Sequence, residues 1–185
     1  MIIKTAKIMT LIFAALFIGG CASYSISEQD MTEYLQDSVV LEQSVGIENV
    51  MYAQVAVDDL KVKIGRSDAE RVSIFANTRA QVQMFSMQNT ELDLDIEFSA
   101  IPEYDQESGE IFLKSLRLEQ FDDHSQQLTP EITKLLKPAV SMIGHALSQL
   151  PVYKLDGDQV QQALLKSAKP NLVIKNNKLV IELFD

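Results

Sequence analysis

The chain is poor in cysteine, glycine and proline. Its 185 residues include one cysteine, Cys21, with seven glycines and five prolines, whereas 46% of the residues are apolar. A single cysteine excludes an intramolecular disulfide framework, so a hydrophobic core must stabilise the fold. The low glycine and proline content argues against a disordered chain, and the length suits one folded domain.

Basic residues are outnumbered. The sequence holds 16 Lys and Arg against 26 Asp and Glu, which gives a formal net charge of −10. Nucleic-acid binding depends on Lys and Arg side chains that neutralise phosphates. The charge balance therefore argues against a nucleic-acid partner.

Histidine is also scarce, and no residue pattern in the chain predicts catalysis. The two histidines are His124 and His145, and residues 122–124 (Asp-Asp-His) are the nearest approach to a metal cluster. We interpret them as a solvated strand end, because no second histidine or cysteine ligand accompanies them. The alternating acids of residues 91–97 are interpreted as a solvated strand face. No nucleophile elbow or phosphate loop is present. We predict no enzyme activity, no metal site and no cofactor.

A long hydrophobic run is also missing. The apolar run from Ile8 to Ile18 has 11 residues, which as a helix reach about 16 Å against a hydrocarbon core of about 30 Å. Lys4 and Lys7 precede the run and two glycines follow it, in the order of a secretory signal peptide. We predict that residues 1–20 are removed and that residues 21–185 form a single domain.

The end of that run resembles a lipobox. Ile18, Gly19, Gly20 and Cys21 are similar to the motif of bacterial lipoproteins, in which an aliphatic residue and two small residues precede a lipidated cysteine. The resemblance implies cleavage before Cys21, a diacylglyceryl group on its sulfur and an acyl chain on its amine. Two or three chains anchor a protein stably, whereas one does so only marginally. Cleavage of an ordinary signal peptide near Cys21 is the alternative.

Ala22 follows the cysteine. Aspartate at this position commonly retains lipoproteins at the inner membrane of enteric bacteria. By analogy, Ala22 favours an outer-membrane lipoprotein on the periplasmic side.

Four long alternating patterns predict strands. The clearest is Leu92 to Ala100, where apolar residues alternate with polar ones that are acidic except at Ser99. The alternation changes phase at residues 58–59 and again at residues 114–115, which indicates bulges. We expect an antiparallel meander in which Met84 lies opposite Leu92.

Residues 71–85 would span about 50 Å, more than the roughly 40 Å diameter of a compact domain of this size. The sheet must therefore curve, or the domain must be elongated.

Helix signals flank these strands. Ser27 followed by Asp30 predicts a short helix. Thr129 and Pro130 start a longer apolar stripe that ends near Leu150 and that Pro138 should kink or split. Residues 158–168 predict a second short helix, and residues 171–184 a hairpin. The predicted fold class is α+β, in which a strongly curved antiparallel β-sheet wraps around a long helix in the C-terminal half, with a short N-terminal helix and a C-terminal β-hairpin.

Several stretches together resemble one family. "YSISEQDMTEYL", "AIPEYDQESGEIFLKSL", "QLPVYKLDGD" and "KLVIELFD" are similar, in this order, to the YceB-like lipoproteins of gammaproteobacteria, which have no established activity. The resemblance implies a fold similar to the tubular lipid-binding proteins, in which a curved sheet surrounds a helix and an apolar channel. It supplies no catalytic residue.

Small side chains on the second strand raise the question of a cavity. Ala76, Thr78 and Ala80 lie where the helix stripe should pack, so either the helix approaches closely or a groove holds an acyl chain. The candidate groove residues are Ile74, Val82, Met84, Leu92, Leu94, Ile96, Phe98, Leu135, Val140 and Ile143.

Two functions follow from these observations. The first is a periplasm-facing lipoprotein that binds a lipid or other apolar ligand without converting it. The alternative is a scaffolding lipoprotein with a filled core, whose acidic face docks another envelope protein. The sequence identifies neither the ligand, the protein partner nor the oligomeric state.

Overall fold

The computed structural model describes residues 23–48, 50–85, 89–124, 126–156 and 170–182. The predicted signal peptide, the lipobox with Cys21, and the predicted helix at residues 158–168 lie outside the described residues. In chain order the elements are β1 (Ser23–Ser27), α1 (Glu28–Ser38), β2 (Glu42–Ile47), β3 (Met51–Ile64), β4 (Val72–Met84), β5 (Thr90–Asp105), β6 (Glu110–Asp123), α2 (Pro130–Gln149), β7 (Tyr153–Lys154), β8 (Asn171–Lys175) and β9 (Lys178–Glu182).

The strands form two antiparallel sheets. One sheet has six strands in the order β2-β3-β4-β5-β6-β7, and the other has three in the order β1-β9-β8. Tyr24 on β1 and Tyr153 on β7 share a hydrogen bond between their hydroxyl groups, with an oxygen separation of 2.9 Å, which links the two sheets.

The predicted fold, a long helix wrapped by one strongly curved sheet, is wrong. Strands hold 56% of the described residues, and they are divided between two sheets. The two helices have 11 and 20 residues. Residues of α2 such as Lys137, Ser141 and Met142 are exposed, so α2 buries only one side. The second sheet arises because residues 23–27, which the sequence marks only as the approach to a helix, pair with β9.

Side-chain alternation places the core correctly but leaves the register open. Along β4 the even-numbered residues from Val72 to Val82 are buried. Ala80 pairs with Leu92, so the predicted pairing of Met84 with Leu92 is wrong by four residues. A slip of four keeps every side chain on its face, and the hydrophobic pattern therefore cannot distinguish the two registers.

Both predicted phase changes are confirmed as irregularities. The pairing of β3 with β4 shifts between Val57 and Asp59. The pairing of β5 with β6 shifts twice between Glu97 and Ile101, and on β6 Ser115 adopts a positive φ of 52°. Such bulges bend a strand and redirect its side chains.

The helices begin where their caps predict. Asp30 donates its backbone N–H to Ser27 Oγ at 3.2 Å, and the Ser27 backbone N–H donates to the Asp30 carboxylate at 2.8 Å, which completes a capping box. Thr129 Oγ1 accepts from the Ile132 backbone N–H at 3.3 Å. Pro138 lies inside α2, which continues through it as a single helix rather than being split.

The two sheets and both helices share one hydrophobic core. Met31 and Leu35 of α1 are fully buried, and α2 contributes Ile132, Leu136, Ala139, Val140, Ile143 and Leu147. The backbone of α2 lies against β2, β3 and β6. Neither α1 nor α2 combines the length and hydrophobicity that a membrane span requires.

Candidate ligand-binding cleft

Most of the predicted groove residues are core residues. Six of them have at most 1% of their surface exposed: Ile74, Leu92, Leu94, Ile96, Val140 and Ile143. Val82 and Phe98 are also buried, whereas Met84 and Leu135 are half-buried at the edge of the core. The small residues Ala76, Thr78 and Ala80 are buried in the same core. The structure brings only Phe98 and Val140 together at an open cleft.

This cleft lies between α2 and β6 and has a volume of about 630 Å³. Pockets of about 300–1,000 Å³ commonly hold small-molecule ligands. The lining residues are Phe98, Lys114, Ser115, Leu116, Leu118, Lys137, Val140, Ser141, Gly144, His145, Ser148 and Gln149.

A stripe of small residues on α2 makes room for the cleft. Ser141, Gly144 and Ser148 recur at intervals of three and four, so they share one face of the helix. These three residues were not among the predicted site residues. Their spacing could have indicated the cleft, because it forms a stripe of small residues beside the buried apolar stripe of the helix.

Gly144 sets the distance between α2 and the floor of the cleft. A Cβ atom at this position would lie 2.9 Å from Cε1 of Phe98, closer than a carbon atom tolerates. Glycine therefore allows the helix to rest on the Phe98 ring, which lies beside Val140 at the base of the cleft.

The wall formed by β6 is held by a buried arginine. Arg71 is 6% exposed, and its Nη2 donates to the carbonyl oxygens of Ser115 at 2.7 Å and Ser99 at 2.9 Å. Its Nε donates to Ser99 Oγ at 2.8 Å. Since Ser115 is the residue of positive φ on the cleft wall, Arg71 positions that wall.

The charges around the mouth are basic. Lys114 of β6, Lys137 of α2 and His145 line the cleft, and none of the Asp and Glu residues that the structure describes lines it. Within the described part of the chain, neither lysine forms an ion pair.

The acidic strand face lies on the outside of the six-stranded sheet. Its clearest contact is that of Asp95 with His124. On the neighbouring strands, Arg79 of β4 donates two hydrogen bonds of 2.6 Å to Asp58 of β3. Among the described residues, no three His, Cys, Asp or Glu side chains are grouped as a metal would require. These contacts pair charges on the surface.

The contact between His124 and Asp95 predicts a measurable pH dependence. The hydrogen bond that the His124 ring donates to the Asp95 carboxylate raises the pKa of His124 above its usual value of 6.5. The stabilisation is therefore fully present below about pH 6.5 and is lost as the pH rises through the folded pKa. NMR titration of the His124 ring should give a midpoint above 6.5, and Asp95→Asn should lower it. An unchanged midpoint in that variant would show that Asp95 does not pair with His124.

Comparison with known proteins gives a family and several relatives. The family model described as "Protein of unknown function (DUF1439)" matches residues 26–178. The chain is 24% identical over 179 residues to "Uncharacterized lipoprotein YceB" of Escherichia coli (strain K12), and to the protein of the same name from Shigella flexneri, with 95% of each chain covered. The protein of that name from Salmonella typhimurium is 23% identical over 167 residues, covering 88% of this chain and 89% of the relative.

Proposed function

Because this chain belongs to the DUF1439 family, whose function is unknown, we propose that it is a lipid-anchored envelope protein that binds the apolar chain of a lipid without converting it. The observation that carries this proposal is the cleft of about 630 Å³ between α2 and β6, with Phe98 and Val140 at its base. The ligand lies along the helix face that contains Ser141, Gly144 and Ser148.

The proposed anchor is the lipidated Cys21 within the lipobox of residues 18–21. Its support is the motif and the names of the relatives, which are described as lipoproteins. Ala22 supports the outer membrane and its periplasmic side. The protein contacts this membrane through the anchor and does not bind nucleic acid.

The first described strand, β1, lies close to one end of the cleft. β1 begins two residues after Cys21, and each residue of extended chain covers at most about 3.6 Å. Tyr24 of β1 contacts Tyr153, which follows the cleft residue Gln149 by four positions. A lipid from the anchoring membrane therefore has a short path to the cleft.

The size of the cleft suggests a moderate affinity. Burial of about ten methylene groups contributes roughly 8 kcal/mol, and the cost of ordering the ligand reduces this value. We expect a dissociation constant of about 1–100 μM.

The test is a binding measurement on a variant with a filled cleft. The protein is residues 21–185 carrying Cys21→Ser, and the probe is a fluorescent fatty acid. Ser141→Trp places a large ring in the cleft from an exposed position of α2. We expect it to weaken binding at least about tenfold, because the ring occupies the space of the acyl chain.

The matched control is Met142→Trp. Met142 is an exposed neighbour on the same helix and does not line the cleft, so this variant should bind like the wild type. Equal affinities for both tryptophan variants would place the ligand elsewhere. A wild-type protein that neither binds the probe nor retains lipid in native mass spectrometry would contradict the proposal.

A second function, docking of another envelope protein, is favoured by one exposed apolar cluster. Ile47, Met51 and Phe85 are 68%, 50% and 81% exposed. Ile47 pairs with Met51, and Met51 pairs with Met84 beside Phe85. The cluster therefore lies at the shared end of β2, β3 and β4. It supports the scaffolding function if the cleft binds no lipid.

A further inference from the structure

The cleft is basic in an acidic protein. The chain has 26 acidic and 16 basic residues, so twelve residues taken at the chain average would include about two acids. The twelve described lining residues include none, and they include two lysines and a histidine. The described part of the cleft therefore differs in charge from the chain average.

The two lysines stand on opposite walls. Lys114 belongs to β6 and Lys137 to α2, and both border the cleft. Lys114 Nζ lies 5.4 Å from the ring centroid of Phe112 on the same strand, a contact that holds an ammonium group by cation–π attraction. An anion at the mouth could therefore reach one ammonium group from each side.

Both ammonium groups are available to a ligand. Within the described residues, several other lysines of the sheets form ion pairs, which Lys114 and Lys137 do not. Lys63 pairs with Glu28, Lys154 with Glu110 and Lys175 with Glu182. A neutral ligand would leave the charges of the cleft uncompensated, whereas an anionic head group would accept charge-assisted hydrogen bonds from them.

We infer that the cleft selects single-chain anionic amphiphiles, with the acyl chain on Phe98 and Val140 and a carboxylate or phosphate head group between Lys114 and Lys137. This inference rests on the proposed function. The exposure of both lysines limits each contact to a few-fold gain in affinity. Together they should favour an anionic ligand over its neutral counterpart by about tenfold at low ionic strength.

The test compares three ligands with the same chain. Dodecanoate and dodecyl phosphate, each below its critical micelle concentration, and dodecanol, below its solubility limit, are titrated into residues 21–185 carrying Cys21→Ser. The wild type should bind the two anions about tenfold more tightly than dodecanol. Added salt should narrow this difference, because it screens exposed charges. Preference for one anion over the other identifies the head group.

The double variant Lys114→Gln, Lys137→Gln isolates the contribution of the lysines. It should weaken binding of both anions about tenfold and leave dodecanol binding unchanged. The control is Lys134→Gln, Lys178→Gln, which removes the same charge from two exposed lysines outside the cleft. This control should retain the preference for anions.

The outcomes separate the inference from the proposed function. Equal wild-type affinity for all three ligands would overturn the inference and leave lipid binding intact. If the double variant lost the same factor of affinity for the anions and for dodecanol, the lysines would only shape the cleft. That result would also overturn the inference. Failure of the wild type to bind any of the three ligands would overturn both.

Discussion

Replacement of Arg71 by alanine is expected to lower the free energy of unfolding by about 3 kcal/mol. The guanidinium is buried and donates to the carbonyl oxygens of Ser99 and Ser115. Buried acceptors without a partner cost about 1–3 kcal/mol each. Ser99 Oγ also donates to the Glu119 carboxylate at 2.5 Å, so the loss extends along a chain of hydrogen bonds. Urea unfolding followed by circular dichroism measures the effect.

Two further arginine variants make this prediction specific. Arg71→Lys keeps the charge but cannot contact Ser99 and Ser115 with one rigid group, so it should recover only part of the stability. Arg117→Ala removes an exposed arginine of β6 and should change stability by less than about 0.5 kcal/mol. If Arg71→Ala unfolded at the same urea concentration as Arg117→Ala, the proposed support of the Ser115 bulge would be wrong.

Replacement of Glu28 by glutamine is expected to cost about 2 kcal/mol at pH 7. The Glu28 carboxylate accepts from Arg66 Nε at 2.7 Å and from the Ile64 backbone N–H at 2.9 Å. Chiefly because of the hydrogen bond from Arg66, the pKa of Glu28 falls to about 2 from its usual 4.5. Each pKa unit corresponds to about 1.4 kcal/mol, and the total is reduced because Arg66 is half-exposed.

The sign of this effect sets its pH dependence. Since the folded pKa lies below the unfolded one, the stabilisation is complete above about pH 4.5 and is lost as the pH falls toward about 2. The difference between wild type and Glu28→Gln should therefore shrink to less than half between pH 7 and pH 3. Glu33→Gln, an exposed glutamate of the same helix, is the control. A difference that stayed constant with pH would contradict the pKa assignment.

The contacts of Glu28 also connect two parts of the fold. It is the first residue of α1, directly after β1, and it joins this segment to the end of β3. The segment follows the proposed anchor in the chain, so the Glu28 contacts attach the residues after that anchor to the six-stranded sheet.

Local features of the fold could be predicted from the sequence. The caps at Ser27 and Thr129 depend on hydrogen bonds that span three residues, and the alternation along β5 reflects a repeat of two. The bulges near Asp59 and Ser115 appear directly as breaks in that repeat. Each signal lies within a few positions of the structure it specifies.

Long-range pairing could not be predicted in the same way. The three-stranded sheet forms because Tyr24 pairs with Ile181. These residues are far apart in the sequence, and no local sequence pattern indicates that they pair. The four-residue register error between β4 and β5 has a related cause, because the hydrophobic faces tolerate it and only the connecting turn decides.

The cleft depends both on a local sequence pattern and on long-range packing. Small residues on β4 suggested space, but Ala76 and Ala80 are buried within the core. The space lies beside Ser141 and Gly144 instead. Their spacing is readable in the sequence, whereas the strand they face depends on how α2 packs against β6. The basic rim depends on the same packing, because Lys114 and Lys137 are on different elements.

Photo-crosslinking tests the central claim most directly. A fatty acid with a diazirine near the end of its chain is irradiated with the protein, and the adducts are mapped by mass spectrometry. We expect adducts on the residues of α2 and β6 that line the cleft, such as Leu118, Ser141 and Ser148, and their loss in Ser141→Trp. Adducts concentrated at Ile47, Met51 and Phe85, or unchanged in Ser141→Trp, would contradict lipid binding in the cleft.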